Sequence, residues 1–302
     1  MNKQVSDFSQ VASLRRYTFT EGREKGLDVI DCDNGKIRFL LNVNKGCDMM
    51  QLYYKGQNMS FISKNGFTQR EISFLKRFEG GMLYTCGLDS VGGREGFEEH
   101  GSYHNTPAQI LRAECNEKEI VIEAEIRSTE LFGRNLTMRR CITSAIGADT
   151  VTIQDTLVNE SYRDEEYCLL YHVNLGYPLL DDGAKVVANS DVCLPRTPWS
   201  CEHVASASQI SAPVDNMEET CYYLEPKNQA VSLVNEKLGR SFTVSYSKDT
   251  LPNFLQWKSM ASGDYALGLE PSTTKLDEQF AYSTLKAGET VAFSLAFTVK
   301  EL

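Results

Sequence analysis

The chain has 302 residues, 41% of them apolar and 24% charged, which supplies enough apolar material for a sizeable core. A net charge of −10 and a pI near 5.1 argue against nucleic acid or an anionic membrane as partner. No stretch approaches the roughly 18 apolar residues of a membrane span, and nine cysteines without a Cys-x-x-Cys pair point to free thiols in a reducing cytoplasm.

In chain order, residues 5–14 predict a short starting helix, and Asp7, Arg15, Arg16, Glu21 and Arg23 break every apolar run a signal peptide would need. A second helix is expected over Gln69–Phe78, with Ile72, Leu75 and Lys76 on one face. Residues 79–108 follow, a polar, glycine-rich loop that holds His100 and His104; Met82–Cys86 leads in and Gln109–Cys115 leads out as short strands. Beyond it a period of two dominates. Ile122, Ala124 and Ile126 alternate with Glu123, Glu125 and Arg127. Val151, Ile153 and Leu157 alternate with Thr152, Gln154 and Thr156. Phe242, Val244 and Tyr246, then Phe293, Leu295, Phe297 and Val299, repeat the pattern.

Turn signals such as Asp33-Asn34-Gly35, Asp181-Asp182-Gly183 and Ser262-Gly263-Asp264 separate these runs, giving roughly sixteen strands. Residues 191–218 read as a long excursion. With no alternation of strands and long helices, a parallel sheet is excluded and a large antiparallel β-sandwich remains, as one domain over residues 1–302.

Three positions carry candidate chemistry. His100 and His104 are four apart, but Gly101, Asn105 and Pro107 argue against the helix that would make them a metal pair, so no metal site is expected. In Tyr167–Leu175, Tyr167, Leu169, Tyr171, Val173 and Leu175 form a bulky face, while Cys168, Leu170, His172 and Asn174 form the other. In Tyr265–Ser272, Glu270 shares a face with Ala266 and Gly268, and two such small residues leave room for something to approach. Trp257 offers a stacking face for a sugar ring. Asp48, after Lys45-Gly46-Cys47, and Asp155, on the apolar side of its strand, are carboxylates that need partners.

Five blocks together resemble the aldose 1-epimerase (galactose mutarotase-like) superfamily, in an uncharacterised aldose-epimerase-related branch. They are Lys45–Asp48, Gly80–Asp89, His100–Ala108, Tyr171–Leu180 and Gly268–Pro271. The resemblance implies an all-β, antiparallel β-supersandwich with a carbohydrate groove across one sheet, acting on a small-molecule sugar without a cofactor. It implies Glu270 as the base at the anomeric hydroxyl, His172 as the acid at the ring oxygen and His100 as a hydrogen-bond donor. Asp48, His104, Asn174, Trp257 and Lys45 are the expected substrate contacts. Three features depart from the family pattern: His172 precedes Asn174-Leu175 by two residues instead of four, the early Asn-Arg motif is absent, and Lys45 stands where close relatives carry Arg. A shift of two keeps the strand face. The competing readings are a silent carbohydrate-binding protein, and a lyase or hydrolase in which Glu270 would pair with Glu98, Glu99 or Asp48.

Overall fold

The computed structural model describes residues 3–302, so the first two residues of the expected 1–302 domain lie outside the described residues. Two large sheets dominate. One has eight strands, ordered Lys185–Val187, Ala230–Asn235, Arg240–Tyr246, Thr290–Glu301, Thr150–Asn159, Asn135–Ala145, Glu119–Thr129 and Ala108–Cys115. The other has seven: Cys193–Pro195, Thr220–Leu224, Asn253–Ala261, Asp264–Ser272, Glu165–Leu175 and Ser283–Leu285 in order, with Leu83–Leu88 also paired to Glu165–Leu175. A five-stranded sheet built from residues 13–58 and a small pair, Phe61–Ile62 with Gly80–Gly81, complete the architecture.

The alternation in the sequence is the cause of this arrangement. Ile122, Ile126, Ile153, Leu157, Phe242, Val244, Phe293 and Phe297 leave one face of the eight-stranded sheet as a continuous apolar surface. Leu169, Tyr171, Val173, Leu267 and Leu269 do the same for the seven-stranded sheet, and all of them share one core. The opposite face of the seven-stranded sheet carries His172 and Glu270.

Several sequence expectations need correction. The strands number more than the roughly sixteen expected, because the short pairings at Gln57–Asn58, Phe61–Ile62 and Gly80–Gly81 carry almost no periodicity. Residues 5–14 contain a single 3-10 turn, Phe8–Gln10, capped by Asp7, and then enter the strand Ser13–Thr18. The helix expected over Gln69–Phe78 shrinks to Phe74–Arg77, and Leu75, placed on one face with Ile72 and Lys76, is 79% exposed. A single turn has no side wide enough to bury a stripe, and here Phe74 and Phe78 are the residues that pack inward.

Candidate functional site

The strand Glu165–Leu175 pairs with Asp264–Ser272 in the register Val173↔Leu269 and Asn174↔Gly268, which sets His172 directly across from Glu270. On its other side the same strand pairs with Leu83–Leu88, placing Tyr84 opposite His172. Trp257 faces Gly268 from the strand Asn253–Ala261. Cross-strand partners share a face, so Tyr84, His172, Glu270 and Trp257 gather on the face turned away from the main core.

That face forms the floor of a cavity of about 730 Å³, lined among others by His100, His172, Arg196, Glu219, Trp257 and Glu270. His172 Nε2 lies 3.2 Å from Glu270 Oε1, and both side chains are buried. Among the described residues, His172 Nδ1 and Glu270 Oε1 find no hydrogen-bond partner. Buried polar atoms are rarely left so, and these two sit in a cavity wall where a ligand can supply the partner. Three rings hold the His172 imidazole: Phe78 at 5.7 Å, His100 at 5.6 Å and Trp257 at 5.5 Å between centroids.

His100 arrives from the glycine-rich loop in the left-handed region, at φ 64°. Its backbone N–H donates to Gly92 O, and Gly92 N–H points back to its Nδ1 at 3.4 Å. A ring nitrogen that accepts from an N–H carries no proton, so the proton of neutral His100 sits on Nε2. The next residue must be glycine: at φ +76°, a Cβ on Gly101 would lie 2.4 Å from Ser90 O and 2.5 Å from Gly87 O.

Burial sets the protonation of the site. It pushes the Glu270 carboxyl up to about 8, with Arg196 opposing too weakly to reverse it. Burial lowers His172 to about 3, and neighbouring His100 adds to the shift. His100 falls to about 4 for the same reason, helped by Arg196. Charged forms lose their water in this wall, and Arg196 does not offset that loss for the Glu270 carboxylate. Between about pH 3 and 8, therefore, Glu270 is the protonated acid and His172 a neutral imidazole.

Gly268 is the small residue that makes this closeness possible. A Cβ there would meet Glu270 Oε1 at 2.2 Å and His172 Cε1 at 3.1 Å. What approaches the glycine is the carboxylate of its own strand. Because the obstructed atom is the mobile end of a side chain, Gly268→Ala is expected to fold but to displace Glu270. A displacement near ~1 Å costs on the order of 10²-fold in turnover, checked by kinetics alongside a thermal melt that stays close to wild type.

Four of the expected substrate contacts lie elsewhere. Asp48 and His104 belong to a buried ionic network beneath the site. His104 Nδ1 is 2.7 Å from Asp48 and its Nε2 2.9 Å from Glu79. Arg140 donates to Asp48 Oδ1 at 2.6 Å, to Asp155 Oδ2 at 2.7 Å and to Thr85 Oγ1 at 3.0 Å, and Tyr171 donates its hydroxyl to Asp155 at 2.7 Å. Burial disfavours the His104 cation, but Glu79 and Asp48 outweigh it and raise its pKa. Burial likewise pushes Asp48 up, and Arg140 with His104 more than reverse it. The His104 ring stacks under Tyr84 at 3.7 Å. Asn174 is buried, donating to Gly80 O and to the backbone of His172. Lys45 Nζ donates to Asn105 at 2.6 Å and lines a separate small cleft. Of the expected contacts, only Trp257 reaches the cavity, with its Nε1 donating to Glu219 at 2.7 Å.

His100 and His104 thus diverge, one into the cavity and one under the sheet. Among the carboxylates considered as a second hydrolytic group, Asp48 is committed to Arg140 and Glu98 pairs with Arg77, while Glu99 remains in the cavity wall. Sequence reasoning missed Arg196, Glu219 and the aromatic pair Phe74 and Phe78. The first two come from the irregular stretch around residues 191–219, where no periodicity indicates a direction. The partner of Asp155 was missed because Arg140 sits on the buried face of a strand whose neighbours hid its charge.

The sequence matches the family described as a domain of unknown function (DUF4432) over residues 24–299, and no curated protein sequence matches it. Among solved structures, a Klebsiella pneumoniae protein proposed to be an aldose 1-epimerase superposes with a TM-score of 0.87 at 19% identity, over 97% of this chain and 86% of that one. A galactose mutarotase-like protein of Clostridium acetobutylicum gives 0.70 at 13% identity, over 97% and 100% of the two chains. Another from Lactobacillus casei gives 0.63 at 13%, over 90% and 100%. At these identities the likeness establishes the fold, a galactose mutarotase-like sandwich, as the sequence led one to expect. The chain belongs to the DUF4432 family.

Proposed function

We propose that this member of the family interconverts the anomers of a reducing sugar by acid–base ring opening at Glu270 and His172. The observation that carries the reading is the pair itself: a carboxyl and an imidazole 3.2 Å apart, buried in a cavity wall, with His172 Nδ1 and Glu270 Oε1 unpartnered among the described residues. The ring oxygen and the anomeric hydroxyl of a sugar share one carbon, so two adjacent groups on the same wall reach both.

The starting positions of the proton are reversed from the sequence expectation. Glu270 begins protonated and His172 neutral. In ring opening, Glu270 gives its proton to the ring oxygen as the bond to C1 breaks, and His172 takes the proton of the anomeric hydroxyl as the carbonyl forms. After rotation about the C1–C2 bond, His172 returns its proton to the carbonyl oxygen. The ring hydroxyl attacks C1 and gives its proton to Glu270. The cycle closes without net change in the protein, and each group serves as both acid and base. His100, with its proton on Nε2, donates a hydrogen bond to the open-chain oxygen.

Saturation transfer between anomeric proton resonances tests the reading directly. Turnover is expected to be flat through neutral pH and to fall as pH rises through about 8, where the pair loses its proton. A profile that keeps rising past that point, or no acceleration of exchange for any reducing sugar, would count against it. His100→Asn is expected to cost less than His172→Asn, on the order of the 1.5–3 kcal/mol of one hydrogen bond to a charged group.

A further inference from the structure

Taking the mutarotase reading as its basis, we infer that the cavity accepts uncharged reducing oligosaccharides and discriminates against phosphorylated and acidic sugars. The first observation is charge. The ionised side chains of the cavity wall include two cations, and each is already committed. Lys64 pairs with Asp264 at 2.7 Å near the mouth. Arg196 is held along one guanidinium edge by Asp277, whose two carboxylate oxygens accept from Nε and Nη2, the latter at 2.6 Å. Among the described residues, Glu99 and Glu219 have no cation of their own; Glu219 accepts only the neutral Trp257 Nε1. A phosphate or carboxylate needs a free cation or a cluster of donors, and a sugar bearing one would meet carboxylates instead. The net charge of −10 adds a long-range field of the same sign. Hydroxyl groups, in contrast, are donors that a wall rich in carboxylate oxygens satisfies.

The second observation is size. One sugar ring displaces roughly the volume of six waters, at about 30 Å³ each, whereas the cavity measures about 730 Å³. A monosaccharide at Glu270 and His172 would leave most of it empty. The lining also carries apolar faces suited to the flat side of pyranose rings: Trp257 and Phe74 beside His172 and His100, and Met217. Leu75, exposed on the outside of its short helix, also borders this space. The reducing ring is seated at the acid–base pair and further rings run toward the mouth.

The test compares glucose, glucose 6-phosphate, glucuronic acid, maltose, cellobiose and lactose, with anomer exchange followed by saturation transfer and binding by calorimetry. At least one neutral disaccharide is expected to exceed glucose by tenfold or more in kcat/KM. The phosphate and the uronic acid are expected to fall below glucose by a similar factor, and added salt should narrow that gap. Glu99→Gln combined with Glu219→Gln should narrow it too, since the amide introduced on the second residue still accepts from Trp257 while the charge is gone. Preference for the phosphate or the uronic acid over glucose, or for glucose over all three disaccharides, overturns the inference while leaving the mutarotase reading standing. Tight binding of a neutral disaccharide without accelerated exchange supports this ligand class and counts against the reaction instead.

Discussion

Glu270→Gln is expected to lower anomer exchange by on the order of 10²–10⁴-fold, the usual contribution of one acid–base group, while sugar still binds. The amide keeps the shape and can donate a hydrogen bond, but it cannot hand a proton to the ring oxygen and take it back. Because His172 acts in the same step, Glu270→Gln combined with His172→Asn should cost little more than either change alone. Exchange near the wild-type rate in Glu270→Gln would remove the residue from the mechanism.

The same substitution has an opposite effect on stability, with a defined pH window. The folded pKa of Glu270, about 8, lies above its ordinary 4.5, so the folded state binds this proton more tightly than the unfolded state. The resulting stability is complete below pH 4.5 and is lost as pH rises through about 8, where folding must bury a bare carboxylate. Gln carries no such burden. Glu270→Gln is therefore expected to match wild type in acid and to exceed it near pH ~9, by an amount on the order of a few kcal/mol. Urea titrations at the two ends of this window read the difference; equal stabilities at the alkaline end would mean that the carboxyl ionises without cost in the folded protein.

Arg140→Met is expected to be the most damaging change away from the cavity. Arg140 is 1% exposed and joins Asp48 to Asp155 between the two large sheets. Its removal leaves two carboxylates in the interior, and breaking a buried ion pair from one side costs about 3–5 kcal/mol. Restoring neutrality with Asp48→Asn and Asp155→Asn in the same chain should recover part of the loss, which separates the stranded charge from the lost packing. Activity should suffer as well. Thr85 is bonded to both Arg140 and Asp48, and it adjoins Tyr84, the cross-strand neighbour of His172. A loss below about 1 kcal/mol, as for a surface pair, would contradict this account.

Much of this protein is written in local pattern. Alternation at Val121–Arg127 and Val291–Val299 reports which side of a strand is buried, because successive side chains point to opposite faces. The two faces of Tyr167–Leu175 were legible for that reason: Leu169, Tyr171 and Val173 enter the core, and His172 turns to the cavity. The short helix was misread because a ten-residue window of mixed residues has a helical period by chance, whereas the fold keeps one turn to deliver Phe74 and Phe78 beside His100 and His172.

What the sequence by itself determined is the class of fold, the faces of its strands and the candidacy of His100, His172 and Glu270, since each depends on residues close in the chain. Tertiary structure decided everything that depends on pairing across distance. Register between strands about a hundred residues apart set His172 opposite Glu270, and a one-residue slip would have turned one of them into the core. The same long-range packing committed Asp48 and His104 to Arg140 and Glu79 instead of the cavity, and it brought Arg196 and Glu219 into the wall from a stretch without periodicity. It also fixed the ionisation of the site, because the energy of a charge is set by the water and counter-ions around it, and a linear sequence does not contain that environment.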